Sequence, residues 1–153
     1  EKIIVMEFDK EFLGKLLEQA MENPRLRQNF DLRTSSADTS QRMLNALQPQ
    51  TEVPIHRHEK TSETVICLVG KLEEIIYEEV NEYVHEATSC CDDVIRQKSF
   101  KEVSRQILSP AEGKFGIQIP AGVWHTINVI ESSVIFEAKD GAYNGYGNTT
   151  DKE

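Results

Sequence analysis

Apolar residues along this chain follow two rhythms. Phe12, Leu13, Leu16, Leu17, Ala20 and Met21 recur at helical spacing and predict one apolar face over residues 10–22. Asp9 stands where an N-cap belongs, with Glu11 in the first turn to favour the helix dipole. Asn23-Pro24 closes the helix, because the residue before proline avoids the helical region. Ahead of it, IIVMEF (3–8) predicts a short strand. RLRQNFDLR (25–33) is mixed and basic, and TSSADTS (34–40) reads as a loop.

From residue 41 the rhythm shortens. RMLNAL (42–47), EVPIHRH (52–58), ETVICLV (63–69) and LEEIIYEEV (72–80) are apolar segments separated by turn residues. FGIQI (115–119), HTINVI (125–130) and SVIFEA (133–138) continue the series, which is the pattern of an all-β barrel or sandwich. The interval 81–113 interrupts it. There DDVIRQKSFKEV fits a short helix or a long hairpin arm, and SPAEGKFG fits a turn. DGAYNGYGNTTDKE (140–153) has no apolar period and reads as a loose tail.

Composition narrows the function by exclusion. At 153 residues, 39% hydrophobic and 28% charged, the chain fits one domain with its own core. A formal charge of -9 argues against nucleic acid and against an anionic membrane surface, since both need a basic patch. No apolar run reaches the length of a spanning helix, and EKIIVMEFDKEF lacks the basic-then-apolar layout of a secretory signal. Cys67, Cys90 and Cys91 form no Cys-x-x-Cys pair, so reduced thiols and a cytoplasmic location are expected. Cys67 shares strand parity with Glu63, Val65 and Val69 and reads as a buried small hydrophobe. Acidic neighbours make Cys90 and Cys91 inert.

The candidate chemistry lies in PIHRHEKTSETVICLVG (54–70) and IPAGVWHTIN (119–128). In an extended strand His56 and His58 point the same way, about 6–7 Å apart, and Arg57 points the opposite way. Glu63 follows a turn of four residues and can reach an ion held by those imidazoles. Pro120-Ala121-Gly122 is turn chemistry that delivers His125 to the start of another strand. Only His85 of the four histidines falls outside these segments. Three imidazoles and one carboxylate leave one or two positions open on a five- or six-coordinate ion. Mixed N/O ligation suits Fe, Mn, Zn, Ni or Co without choosing among them.

These residues resemble the two cupin motifs. HRH, four residues, Glu63, six residues and Gly70 is similar to G(X)5HXH(X)3–4E(X)6G, with Gln50 in place of the leading glycine. PAGVWH is similar to the PXG(X)2H core of the second motif. Asn128 stands three residues after His125 rather than four, and Lys114 occupies the place of the earlier glycine. Further, PRLRQNF, QRMLNAL, PIHRH, GIQIPAGVWHT and FEAKDGAY in this order resemble the WbuC-type cupin metalloproteins, small bacterial proteins associated with O-antigen or polysaccharide gene clusters. The resemblance covers most of residues 9–145 and weakens at 81–104. It implies a jelly-roll barrel and a divalent metal on His56, His58, Glu63 and His125.

The organisation expected is an N-terminal strand–helix extension over 1–40 and a cupin barrel over 41–140, with 81–113 as an elaborated connection between motifs. A flexible tail follows at 141–153. Glu63 is expected to be a ligand and also the catalytic base. Arg42, Asn45, Trp124 and Lys139 are candidates for binding substrate, although strand parity puts Asn45 with Met43 and Leu47 and turns Arg42 to the opposite face. Arg25 and Arg27 can add cationic groups. A homodimer is expected, because strand 3–8 can cover a partner's sheet edge. Two functions stay open. One is a metal-dependent enzyme that isomerises, epimerises or oxygenates a small sugar-like or keto-acid-like molecule; the other is a non-catalytic metal-dependent binding or sensing module.

Overall fold

Helix α1 (Lys10–Glu22) forms where the sequence places it. The Asp9 carboxylate accepts from the Phe12 amide at 2.8 Å, and Asn23 leaves helical geometry ahead of Pro24. The structure, a computed structural model, describes residues 1–88 and 91–141, and the side chains of 86–93 fall outside that description. The strand expected at 3–8 does not form. Among the described residues no ladder includes the segment, and a strand exists only by pairing, so Ile3, Ile4 and Val5 stand exposed.

Among the described residues six strands follow: β1 (Arg27–Asp31), β2 (Ser40–Leu47), β3 (Glu63–Thr88), β4 (Cys91–Leu108), β5 (Gly116–Ile119) and β6 (Trp124–Asp140). Their order is β1-β2-β6-β3-β4, with β5 pairing the start of β3, and every pairing is antiparallel. The fold class is all-β, and a jelly roll fits this arrangement. Strand β1 was not expected from its mixed composition. It pairs on β2, with Phe30 packed beneath α1 and Arg27 and Asn29 turned to the barrel pocket.

ETVICLV and LEEIIYEEV prove to be one strand, β3, and HTINVI and SVIFEA are likewise one strand, β6. The turn signals between them mark bends. Gly70 has φ 93, and a Cβ there would strike the Ser132 carbonyl and Ser133 Oγ. The β3–β6 ladder shifts register repeatedly between Cys67 and Leu72. Bulges of this kind bend a strand and raise its twist, so β3 and β6 fold over together and enclose the core. Of the two readings of the 81–113 interval, the hairpin arm is the one that forms, with β3 and β4 paired from Leu72↔Leu108 out to Thr88↔Cys91. A 3₁₀ turn at Pro110–Glu112 ends it. Cys90 and the tail beyond Gly141 lie outside the described residues, and so does the Cys91 side chain.

EVPIHRH is also not a strand. Pro54 has no amide to donate, and its carbonyl holds the His56 ring, so pairing shrinks to a single bridge between His56 and His125. Alternation along β2 divides the interior in two. Leu47 faces the barrel with Val65, Cys67, Leu72 and Ile135, while Leu44 and Ala46 face Leu16 and Ala20 of α1. Each fully buried leucine contributes about 2 kcal/mol. Cys67 is buried as expected, and burial pushes its thiol up to about 11.

Candidate metal centre

Two strand starts and one loop build the site. Glu63 opens β3 between β5 and β6, its backbone facing Ile119 on one side and Lys139 on the other. His125 lies near the start of β6, delivered by the turn in which Gly122 takes φ 79. His56 is fastened to His125 by reciprocal amide–carbonyl bonds of 3.0 and 2.9 Å, and the His58 carbonyl accepts from the Gly122 amide at 2.8 Å. The loop therefore carries two imidazoles onto the rim of a sheet that already presents the other two groups.

The donor atoms of His56, His58, Glu63 and His125 all lie within 4.8 Å of one another. Donors about 2.2 Å from a shared ion sit at most about 4.4 Å apart, so a contraction of a few tenths of an ångström brings all four onto one ion. Nδ1 of His56 lies 2.8 Å from the Pro54 carbonyl, and Nδ1 of His125 lies 2.9 Å from the Val123 carbonyl. Each ring is thereby oriented with Nε2 toward the cluster. Nε2 of His125 is buried and makes no hydrogen bond, its neighbour Glu63 Oε2 being 3.5 Å away. His58 Nε2 approaches the same oxygen at 2.7 Å. An orphaned buried nitrogen aimed at a carboxylate fits a cation between them.

Electrostatics puts the groups in the form that binds metal. Burial, with His125 next in importance, pushes His56 down to about 4, so the ring is neutral at neutral pH. Burial also pushes Glu63 up, but the imidazoles of His125 and His58 outweigh it and hold the carboxyl well below the usual range. The neighbouring Glu137 goes the other way. Its burial and the Glu63 charge raise it well above the ordinary value. The two carboxyls of the pair are thus shifted in opposite directions, Glu63 toward the charged form and Glu137 toward the protonated one.

Asn45 and Lys139 line the pocket beside these four residues, with Lys139 Nζ 3.2 Å from His58 Nδ1. Burial lowers Lys139, although Glu63 and Glu137 oppose the shift. Arg25 and Arg27 line it too. Two candidates are not brought there. Arg42 projects from the opposite face of β2 and binds Asp38 at 2.9 Å and the Leu32 carbonyl, as its parity dictates. Trp124 alternates with His125 and so packs outside the pocket. Its ring lies 4.8 Å from Phe100 and beneath the Arg57 guanidinium at 4.5 Å. Arg57 accordingly points away from the donors. His85 is exposed on the hairpin arm, far in sequence from any partner of the set.

Sequence reasoning missed Gln41, Glu74 and Glu137, which also line the pocket. Parity offered a signal for two of them. Gln41 shares a face with Asn45, and Glu137 shares a face with Lys139. For Glu74 the bulges at Gly70 erase parity with Glu63, so nothing in the run LEEIIYEEV says which of its adjacent acids turns inward.

A family described as a domain of unknown function (DUF6016) matches residues 8–88. The chain belongs to this family. The DUF6016 match runs from the N-cap region of α1 through β3, so it contains His56, His58 and Glu63 and ends before His125. No curated protein matches the chain. Similar solved structures include the Cnp3 cupin domain of Schizosaccharomyces pombe, at 12% identity, 75% of this chain, 64% of that chain and TM-score 0.46. The cupin-2 domain Rru_A2000 of Rhodospirillum rubrum is similar at 12% identity, 77% and 62% coverage and TM-score 0.47. The capsular polysaccharide assembling protein CapF of Staphylococcus aureus follows at 17% identity, 76% and 28% coverage and TM-score 0.46. The chain spans less than two thirds of the length of each of these three.

Proposed function

We propose that this protein is a divalent-metal cupin of the WbuC type that acts as an enzyme on a small polar molecule, sugar-like or keto-acid-like, in polysaccharide metabolism. The observation that carries the reading is the gathering of three imidazoles and one carboxylate within 4.8 Å of one another, half-buried to buried, at the wall of a polar pocket. A divalent ion held by His56, His58, Glu63 and His125 supplies Lewis acidity, or redox chemistry if it is iron. The chain's own groups do the rest. Lys139 and Arg25 draw an anionic substrate in, and the apolar floor of Val53 and Ile127 limits water. Glu63 is ligand and base, and the Glu137 carboxyl beside it, raised by burial and by the Glu63 charge, is the group that favours holding a proton. Isomerisation and epimerisation draw on such a poised acid and base, whereas oxygenation would rest on the redox chemistry of the ion.

A cytoplasmic homodimer is part of the proposal. The exposed apolar run Ile3–Phe8 has the composition of a strand seeking an edge, and Cys67 is a free buried thiol. No helix among the described residues is long and apolar enough to cross a membrane.

Elemental analysis of the purified protein tests the centre. Close to one equivalent of metal per chain is expected, with at least a tenfold loss in His56→Ala; substoichiometric metal in wild type, unchanged in the variant, removes the reading. Turnover is then sought across keto-sugars and keto-acids, with dioxygen consumption followed. Ligand-induced stabilisation without turnover replaces the enzyme by a metal-dependent binding module.

A further inference from the structure

The pocket has a second polar wall apart from the four candidate metal ligands. Glu74 projects inward from β3, is 1% exposed, and has no hydrogen-bond partner at either carboxyl oxygen. Its neighbour Glu73 faces outward and is served by Arg105 at 2.7 Å and Asn128 at 3.0 Å. Gln41 Oε1 and Asn45 Oδ1, from β2, are also buried acceptors without a partner. All three residues line the cavity that His56, His58, Glu63 and His125 share. Packed interiors pair such oxygens, and four left over on three residues around one cavity call for donors from elsewhere. Lys139 and Arg25 add positive charge on the same cavity.

Size narrows the choice. The cavity measures about 140 Å³, and a cavity of about 150 Å³ accommodates a benzene-sized molecule. A sugar nucleotide does not fit inside it.

We propose that the pocket takes a small hydroxy acid, whose hydroxyls donate to Glu74, Asn45 and Gln41 while its carboxylate faces Lys139 and Arg25. The proposal rests on the metal reading of the site and narrows its substrate class. Burial, with the Glu63 charge adding to it, raises the Glu74 carboxyl well above its ordinary value, which eases the approach of an anionic ligand.

Calorimetric titration of the zinc-loaded protein tests this with two probes of equal size. D-Glycerate carries two hydroxyls and one carboxylate, while malonate carries two carboxylates and no hydroxyl. Glycerate is expected to bind about tenfold more tightly, the scale of one or two good hydrogen bonds. Glu74→Met should abolish that preference while leaving malonate affinity and zinc content unchanged. Should that variant fail to fold, Asn45→Leu is expected to halve the preference or better. Equal affinity for the two acids, or a preference that survives both substitutions, overturns the inference. Zinc content in the same samples separates the two readings. Wild-type protein that takes up no zinc removes the metal centre and this ligand with it, whereas zinc retained without a glycerate preference removes the ligand alone.

Discussion

Gln50 takes φ 73, a backbone region that strains any residue with a Cβ. It stands at the position for which the resemblance to the first cupin motif implies a glycine, and its positive φ is the conformation glycine takes most easily. Gln50→Gly should stabilise the protein by about 1 kcal/mol, relief of strain outweighing the added entropy of the unfolded chain. Urea denaturation reads this directly, and an unchanged midpoint would mean that Gln50 gains back its strain through contacts. Glu74 makes a second prediction at this scale. The unfolded chain releases its proton near the ordinary 4.5, whereas the folded chain retains it to higher pH. Between those limits the folded state binds more protons, so stability falls as pH rises, by at most about 1.4 kcal/mol per pH unit. Metal-free Glu74→Gln lacks this slope. Its melting temperature should exceed that of wild type at pH 7, with the gap closing toward pH 4.5.

Among the elements, α1 was legible to the residue because cap, apolar face and proline stop are all local signals. The strands were legible as segments but not as ladders. Gly70 looked like a terminator, yet it bends β3 without ending it, and only the bulged pairing with β6 distinguishes the two. The run 3–8 failed in the opposite way, having strand composition but no pairing among the described residues. The bend itself is testable. Gly70→Ala places a methyl group against the Ser132 carbonyl at φ 93, which should cost about 3 kcal/mol or more. Circular dichroism and thermal melting would register that loss, and a stable variant would show that the sheet can bend elsewhere.

Across the whole molecule, the four donors were readable because their spacing is short-range: one residue, then five, then a turn that delivers a single histidine. The pocket walls were not readable, since they need the registers of β1, β2, β3 and β6 relative to one another. An ion in the centre should tie those parts together. Zinc at about 100 times its dissociation constant is expected to add about 2.7 kcal/mol of stability, and His125→Ala should remove nearly all of it. Calorimetric melting with and without zinc measures the difference. The donors are unequal in stiffness, however. Glu63 and His125 stand on strands, whereas the loop bearing His56 and His58 is secured by the His56–His125 bridge, the Gly122 amide and the Thr126 hydroxyl on the Val53 carbonyl. Val53 and Pro54 of that same loop wall the pocket. Peeling the loop back would admit a ligand and dismantle half of the coordination shell in one movement. Ligand entry past this loop and retention of an ion on these four residues would therefore oppose each other, because the same backbone contacts govern both.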